Sequence, residues 1–257
     1  MKKRTLQLAA LGLLLGALAL ALSPAEEAKR QRQLFLQQSG GAHPGELFVA
    51  EGEEYYLSLE GPTGKTMEAC DFGKGPGVLE GAYAELPRYF PDSDRVEDLD
   101  TRVVTCLTQV LGLGEDEFDR DMVVALVSYI ASFSNEMPIN VKLEHPKEKE
   151  MFAIGEKLWY WRAGQMDMSC AACHDRYPGR RVRLAPIRNP EQGLSDHWPA
   201  YTFSFDKMYT LEDRINFCYD SIQIPHPDFY STPHIALSLY MRYRANGNAL
   251  DVPGFTR

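Results

Sequence analysis

Cys170-Ala171-Ala172-Cys173-His174, preceded by Met168-Ser169, is a C-x-x-C-H motif, the attachment signature of a c-type haem. Two thiols spaced across one backbone turn can add to the two vinyl groups of a single porphyrin. The imidazole of the next residue is then carried beneath the iron as the proximal ligand. Two blander readings fit less well. A structural zinc site wants a second ligand pair at similar spacing, and none exists here. A thioredoxin-like redox pair needs no His after its second Cys and belongs in a βαβ pattern, which this sequence lacks. The motif predicts one covalent haem c, held by Cys170, Cys173 and His174.

The N-terminus agrees with a haem attached outside the inner membrane. Lys2-Lys3-Arg4, an apolar run from Leu8 to Leu22 and the small-residue site Ser23-Pro24-Ala25 predict an export signal over residues 1–25, with cleavage after Ala21 as the second option. The apolar run is short for a membrane span, so the expectation is an exported, periplasmic chain with no span after cleavage. The leader carries three basic residues and no acid, so its loss takes the formal charge from −9 to about −12. An acidic balance of that size argues against a nucleic-acid partner.

Five cysteines are present: Cys70, Cys106, Cys170, Cys173 and Cys218. Haem takes two. In an oxidising compartment Cys70 and Cys106 can pair, with two buried free thiols as the alternative, and Cys218 is left over.

Taken in order, residues 26–45 are charged and Gln-rich and read as an N-terminal arm, flexible in preference to a short helix that passes into a linker or packs on a partner. Residues 46–145 form a first domain. Asp98 or Asp100 caps a helix through Leu99, Val103, Leu107 and Val110 that stops near Gly112. Phe118, Met122, Leu126 and Ile130 line one face of a helix from about Glu115 to Ser134. A Pro-containing link, Pro138 to Pro146, leads to a second domain over 146–257. Pro146 opens a helix that ends at Gly164, and residues 175–210 show no periodicity. Thr210 caps a helix through Leu211, Ile215 and Cys218, and Thr232-Pro233 opens the last one.

The halves echo each other. Arg102-x-x-x-Cys106 matches Arg214-x-x-x-Cys218, and Pro87-Arg88-Tyr89 matches Pro199-Ala200-Tyr201, all at one common offset. Ala125 to Tyr129 echoes Ala236 to Tyr240 at nearly the same offset. The expected architecture is therefore mainly α: two tandem cytochrome c-like domains related by duplication, the first without haem. In that first domain Cys70-Asp71-Phe72-Gly73-Lys74 stands in the place of the motif, with Gly73 for the second thiol and Lys74 for the histidine.

A six-coordinate haem c takes a second axial ligand. Met208, Met241, His197, His226, His234 and Cys218 are the candidates. Arg214 lies one helical turn before Cys218, where a guanidinium lowers a thiol's pKa and offers a forked donor to an oxyanion. Its blander roles are an ion pair with Glu212 or Asp213, or a haem propionate contact shared with Arg180, Arg181 or Arg183.

With Gly155-Glu156-Lys157-Leu158-Trp159-Tyr160-Trp161-Arg162-Ala163-Gly164, the haem motif, Arg214-x-x-x-Cys218 and the Tyr240 to Gly247 segment together, the sequence resembles SoxA, the larger subunit of the SoxAX cytochromes of bacterial thiosulfate oxidation, in its single-haem form. The resemblance spans most of residues 50–255. It departs at Phe217, where Gly is frequent in the family. It implies an L-cysteine S-thiosulfotransferase in which Cys218 is catalytic and the distal iron ligand, Arg214 binds the substrate oxyanion and His174 is proximal. It also implies a heterodimer with a SoxX-like cytochrome c that accepts two electrons, and a SoxYZ-like carrier whose cysteine receives thiosulfate. The rival expectations are a thiosulfate dehydrogenase forming tetrathionate and a plain electron-transfer cytochrome.

Overall fold

The computed structural model describes residues 24–256 apart from Ser39, Arg183 and Leu184. The predicted export signal, as far as Ser23, lies outside the described residues. Helix α1 (Pro24–Gln38) opens the chain and corrects the expectation of a flexible arm. Phe35 packs on Phe203 and Phe255, and Nε of the buried Arg32 donates to Asp251 at 2.8 Å. Polar composition hides these partners because they come from the far end of the chain.

Helix α2 (Gly45–Ser58) follows. A loop through Cys70 leads to a short hairpin, β1 (Arg88–Phe90) and β2 (Arg95–Glu97). Helix α3 (Leu99–Thr105) starts where the Asp98 carboxylate accepts from Thr101 N. It continues as a π-helical turn, Cys106–Leu111, and ends at Gly112 with φ +82°. Helix α4 (Arg120–Ser132) begins later than its periodicity predicts, because Asp119, in extended backbone, caps it by accepting from Met122 N.

In the second half, α5 (Pro146–Tyr160) is opened by a His145–Glu148 capping box. It ends short of Gly164, whose φ of +71° serves the following turn instead, in which Ala163 bridges Met168. Helix α6 (Cys170–His174) carries the C-x-x-C-H motif. The stretch that lacks periodicity holds a two-residue pair, β3 (Arg181–Val182) with β4 (Ala185–Pro186), and a hairpin, β5 (Ala200–Thr202) and β6 (Lys207–Tyr209). Helices α7 (Leu211–Ser221) and α8 (Thr232–Arg244) come next, and strand β7 (Gly254–Thr256) pairs parallel to β5.

One order, helix, hairpin, helix, helix, thus runs through both halves, with α6 and the β3–β4 pair inserted after the first helix of the second. The hairpin pairs Arg88 with Glu97 in the first pass and Ala200 with Tyr209 in the second, both positions shifted by the offset of the sequence repeat. In both passes the outer helices cross through a glycine. A Cβ on Gly52 of α2 would collide with the carbonyl oxygen of Ala125 on α4 and lie 2.8 Å from Tyr129 Cβ. A Cβ on Gly155 of α5 would collide with the carbonyl oxygen of Ala236 on α8 and lie 2.9 Å from Tyr240 Cβ. Glycine lets the two backbones touch at the crossing, at a cost in helix propensity of about 1 kcal/mol.

The halves share their packing. Leu86, Val103, Leu107 and Leu126 of the first form one core with Ile235, Leu239, Leu250 and Val252 of the second. A second cluster, Trp159, Ala171, Trp198, Ile215, Leu237 and Tyr240, surrounds the C-x-x-C-H helix. No described helix is long and apolar enough to cross a membrane.

Candidate haem and thiol site

Helix α6 is a short piece of chain that its neighbours hold in place. Ser169 caps it, accepting from Ala172 N at 3.1 Å. Cys170 and Cys173 are free thiols, both half-buried. Burial pushes the Cys170 thiol up to about 12, and the neighbouring Cys218 adds to it. Cys173 is raised by the same two causes in the same order. All three sulfurs therefore share one neighbourhood, although Cys218 comes from another helix.

The ring of His174 is fixed from two sides. Its Nδ1 lies 2.5 Å from the carbonyl oxygen of Arg188. A carbonyl only accepts, so Nδ1 carries the proton and Nε2 keeps its lone pair. The buried Trp159 ring sits 5.8 Å from the imidazole. Trp159 in turn donates through Nε1 to Asp175 at 2.6 Å, and Asp175 accepts from Arg244 Nη2 at 3.0 Å. The packed pair α5 and α8 thereby anchors the motif helix at its C-terminal end.

Helix α7 brings Arg214 and Cys218 into the neighbourhood of His174. Its N-terminus is pinned by Arg120, whose Nη2 donates to Thr210 Oγ1 at 2.7 Å and to Asp213 Oδ2 at 2.8 Å. One face then presents Arg214 and, a turn later, Cys218, whose thiol is near enough to His174 to feel its ring. Burial raises the Cys218 thiol, but Arg214 and the contacts to His174 outweigh it and leave it below the ordinary cysteine value.

Glu212 and Asp213 do not pair with Arg214. Asp213 is committed to Arg120 and to the backbone N of Thr210, and Glu212 accepts from the backbone N of Tyr230 at 3.1 Å. Among the described residues Arg214 makes no ion pair. Its guanidinium lies 5.0 Å over the Phe217 ring and 5.9 Å from that of Trp198. The aromatic residue at 217 thus flanks the cation, and its stacking leaves the guanidinium N–H fork free for an anion.

The donor set suits a haem c. Two thiols lie three positions apart on one turn, an imidazole has its Nδ1 occupied and its Nε2 available, and a thiol from a distant helix closes on that same imidazole. The other distal candidates have surroundings of their own, and among them only Met241 shares the cluster around the motif helix. Met208 is in a cluster with Val124, Tyr201 and Phe255. His197 is buried against Asp196 at 3.1 Å. His234 is buried between Asp228 O and Asn216 Oδ1. His226 is exposed. Met241 packs in the core around Trp159. Arg180 and Arg181 are exposed as well, and Arg183 is outside the described residues.

In the first half, Cys70 and Cys106 are joined by a disulfide with Cα atoms 5.8 Å apart. Phe72 and Met67, both fully buried, fill the space around it. Gly73 N donates to Asp71 Oδ1 at 2.7 Å, and Lys74 is ion-paired to Glu85.

Sequence reading misses Trp159, Asp175, Arg188 and Arg120. Arg188 acts through a backbone carbonyl, which leaves no trace in residue type. Arg120 works between halves, and no local spacing signals that.

This fold and site define a c-type cytochrome, and comparison with known proteins agrees. The family model described as SoxA/TsdA, cytochrome c domain, matches residues 51–139, so the cytochrome c pattern is found even in the half without a C-x-x-C-H motif. The chain is 43% identical to an L-cysteine S-thiosulfotransferase subunit SoxA of Hydrogenobacter thermophilus, over 96% of this chain and 94% of that one. It is 36% identical to the subunit of the same name from Hydrogenophilus thermoluteolus, over 90% of each. The crystal structure of SoxXA from P. pantotrophus superposes with a TM-score of 0.73 at 26% identity, covering 83% of this chain and 79% of that one. The chain belongs to the SoxA family.

Proposed function

We propose that this chain is the haem-bearing catalytic subunit of an L-cysteine S-thiosulfotransferase in thiosulfate oxidation. The observation that carries the reading is the nearness of Cys218 to His174, with Arg214 one turn earlier on the same helix and without an ion pair among the described residues. The reaction joins the sulfane sulfur of thiosulfate to a carrier cysteine. One S–S bond forms, the thiol loses its proton, and two electrons leave.

Cys170 and Cys173 would hold the haem by thioether bonds, and His174 and Cys218 would ligate its iron. The bound haem supplies an electron acceptor at the site. Arg214 receives the sulfonate end of thiosulfate through its guanidinium fork, a charge-assisted arrangement suited to an oxyanion. That places the sulfane sulfur toward Cys218 a turn away. Trp198 and Phe217 hold the guanidinium in position and narrow the approach.

The matching order of elements in the two halves supports a tandem duplication, with a haem-free domain over 46–145 and a haem domain over 146–257. The disulfide Cys70–Cys106, the buried Phe72 and the paired Lys74 support a single haem. A SoxX-like cytochrome c is the partner that takes the electrons, and a SoxYZ-like carrier brings the acceptor cysteine. The basic, apolar leader and the disulfide support export to the periplasm.

The test is an EPR spectrum of the oxidised protein, read beside a thiosulfate-conjugation assay with a carrier. A low-spin signal of His/thiolate type and carrier-dependent conjugation are expected. A His/Met signal, or tetrathionate formed without any carrier, overturns the reading.

A further inference from the structure

Helix α7 buries Leu211, Ile215 and Tyr219, whereas Arg214, Phe217 and Cys218 are half-buried along another of its faces. The β5–β6 hairpin leans on that half-open face. At its exposed tip, residues 203–206, the Phe205 ring meets Phe217 edge-on, with centroids 5.7 Å apart and planes at 67°. It also stacks on Tyr209 of β6, at 5.6 Å and 17°. Phe203, two residues earlier, packs on Phe35 of α1 and on Phe255 of β7. Ring contacts thus fix the tip on both flanks, yet Phe205 keeps 46% of its surface in solvent. An aromatic line leads outward from the anion fork: the Arg214 guanidinium lies 5.0 Å over Phe217, Phe217 touches Phe205, and Phe205 meets water.

Thiosulfate is too small to use the whole of this line. With its sulfonate on Arg214, its sulfane sulfur turns toward Cys218, one helical turn of about 5.4 Å away. Phe205 stands one ring beyond Phe217 and takes no part in holding the anion. The second reactant is different. On the function proposed above it is a cysteine within a protein, and it must reach a sulfur on a half-buried face. Residues on either side of that cysteine therefore lie against whatever borders the face, and on the hairpin side that is Phe205. A large ring left in water but already fixed by its neighbours loses little freedom when it is covered, which is what makes aromatic side chains effective interface anchors.

We propose that Phe205, backed by Phe217 and Tyr209, is the contact for the polypeptide segment that carries the acceptor cysteine, so that the β5–β6 tip selects the acceptor while Arg214 selects the anion. The inference rests on the thiosulfate-conjugating reading and adds the surface that receives the carrier. A wild-type protein that conjugates no thiosulfate to a carrier fails that earlier reading. A conjugating wild type whose Phe205 variants all behave like it fails this one.

The experiment uses the haem-loaded chain with its native partner subunit and varies thiosulfate and a SoxYZ-type carrier independently, in wild type, Phe205→Ser, Phe205→Tyr and Phe203→Ser. Both positions are exposed, so none of these variants opens the core. Phe205→Ser is expected to raise KM for the carrier by about tenfold, a loss typical of an aromatic interface anchor. KM for thiosulfate, kcat at saturating carrier and the haem spectrum stay as they are. Phe205→Tyr keeps the ring and recovers most of the carrier's KM. Phe203→Ser, on the other flank of the tip, leaves it level. An unchanged carrier KM in Phe205→Ser overturns the proposal. So does an equal rise in KM for thiosulfate, which makes the hairpin a support for the Arg214 fork. An equal rise in Phe203→Ser reduces the tip to a rigid body without a ring contact and overturns it too. Loss of the cytochrome subunit from the Phe205→Ser preparation assigns the tip to that partner and overturns it as well.

Discussion

His174 and Cys218 are neighbours from two helices well separated in sequence, the imidazole held by the Arg188 carbonyl and the thiol lowered by Arg214 and by the ring. Neither depends on its own element alone for its place. The imidazole is aimed by a backbone oxygen of the 188–198 segment, and the thiol is delivered by a helix whose start is pinned by Arg120.

The first prediction concerns Cys218→Ala. On the proposed reading the haem is attached through Cys170 and Cys173, so the variant should be purified with a full complement of covalent haem. Its ferric EPR signal should lose the thiolate character, and carrier conjugation should fall to background. A variant that keeps both the spectrum and the turnover would make Cys218 a buried small side chain and nothing more.

Arg214 should separate binding charge from binding shape. Arg214→Ala is expected to cost about 10²–10³ in turnover, the usual loss when a donor to a developing or bound oxyanion is removed, with the haem spectrum intact. Arg214→Lys keeps the charge but not the fork, so it should recover only part of kcat/KM for thiosulfate. Equal activity in the Lys and Arg forms would mean that a point charge suffices. Steady-state kinetics with varied thiosulfate distinguishes these outcomes.

Much of this site is legible in the sequence because its residues are chemically distinctive. Cys170, Cys173 and His174 are fixed by local spacing, and the Arg-x-x-x-Cys pair by one helical turn. The repeat is legible for the same reason, since Arg102, Cys106 and their counterparts sit at one offset. Helix α2 is not, because Gly45 and Gly52 weaken its propensity signal. Gly52 is there for contact with Ala125, which only the fold supplies. The 175–210 stretch is opaque because such short strands leave no period to count. Helix α1 reads as an arm because its partners, Phe255 and Asp251, come from the far end of the chain.

The disulfide should matter for stability and not for chemistry. Its two cysteines are separated by 36 residues, so the double variant Cys70→Ala/Cys106→Ala should lose about 3–4 kcal/mol by loop-closure entropy. Denaturant unfolding of the oxidised wild type and the variant measures this. Haem content and visible spectrum should be unchanged, because Cys70 and Cys106 lie in the other half. A lost or shifted haem spectrum in the folded variant would mean that the halves are coupled more tightly than their shared core implies.

The last prediction comes from the acidic junction between helices α3 and α7. Arg120 is the cation there, donating to Asp100 Oδ1 and Asp213 Oδ2 at 2.8 Å each and lying 4.2 Å over the Phe229 ring. Asp98 and Glu212 are buried beside it, and Glu212 Oε1 has no hydrogen-bond partner. Burial, then the nearby Asp100, raises Asp98 to about 6. Burial, then Asp98 and Asp100, holds Glu212 well above the usual carboxyl range. A carboxyl whose folded value is raised binds more protons in the folded state between its unfolded value, about 3.9, and its folded one. Its ionisation therefore costs stability as pH rises through that window. Burial lowers His234 to about 4, which gives the opposite slope, so the difference between variant and wild type is the quantity to read. Asp98→Asn keeps the cap on Thr101 N and removes the titration. It should be more stable than wild type at pH 7.5 by about 1–3 kcal/mol, with the advantage shrinking below pH 6 and gone near pH 4. Chemical denaturation at a series of pH values checks it, and a gain that is the same at every pH would assign the effect to packing and not to the charge.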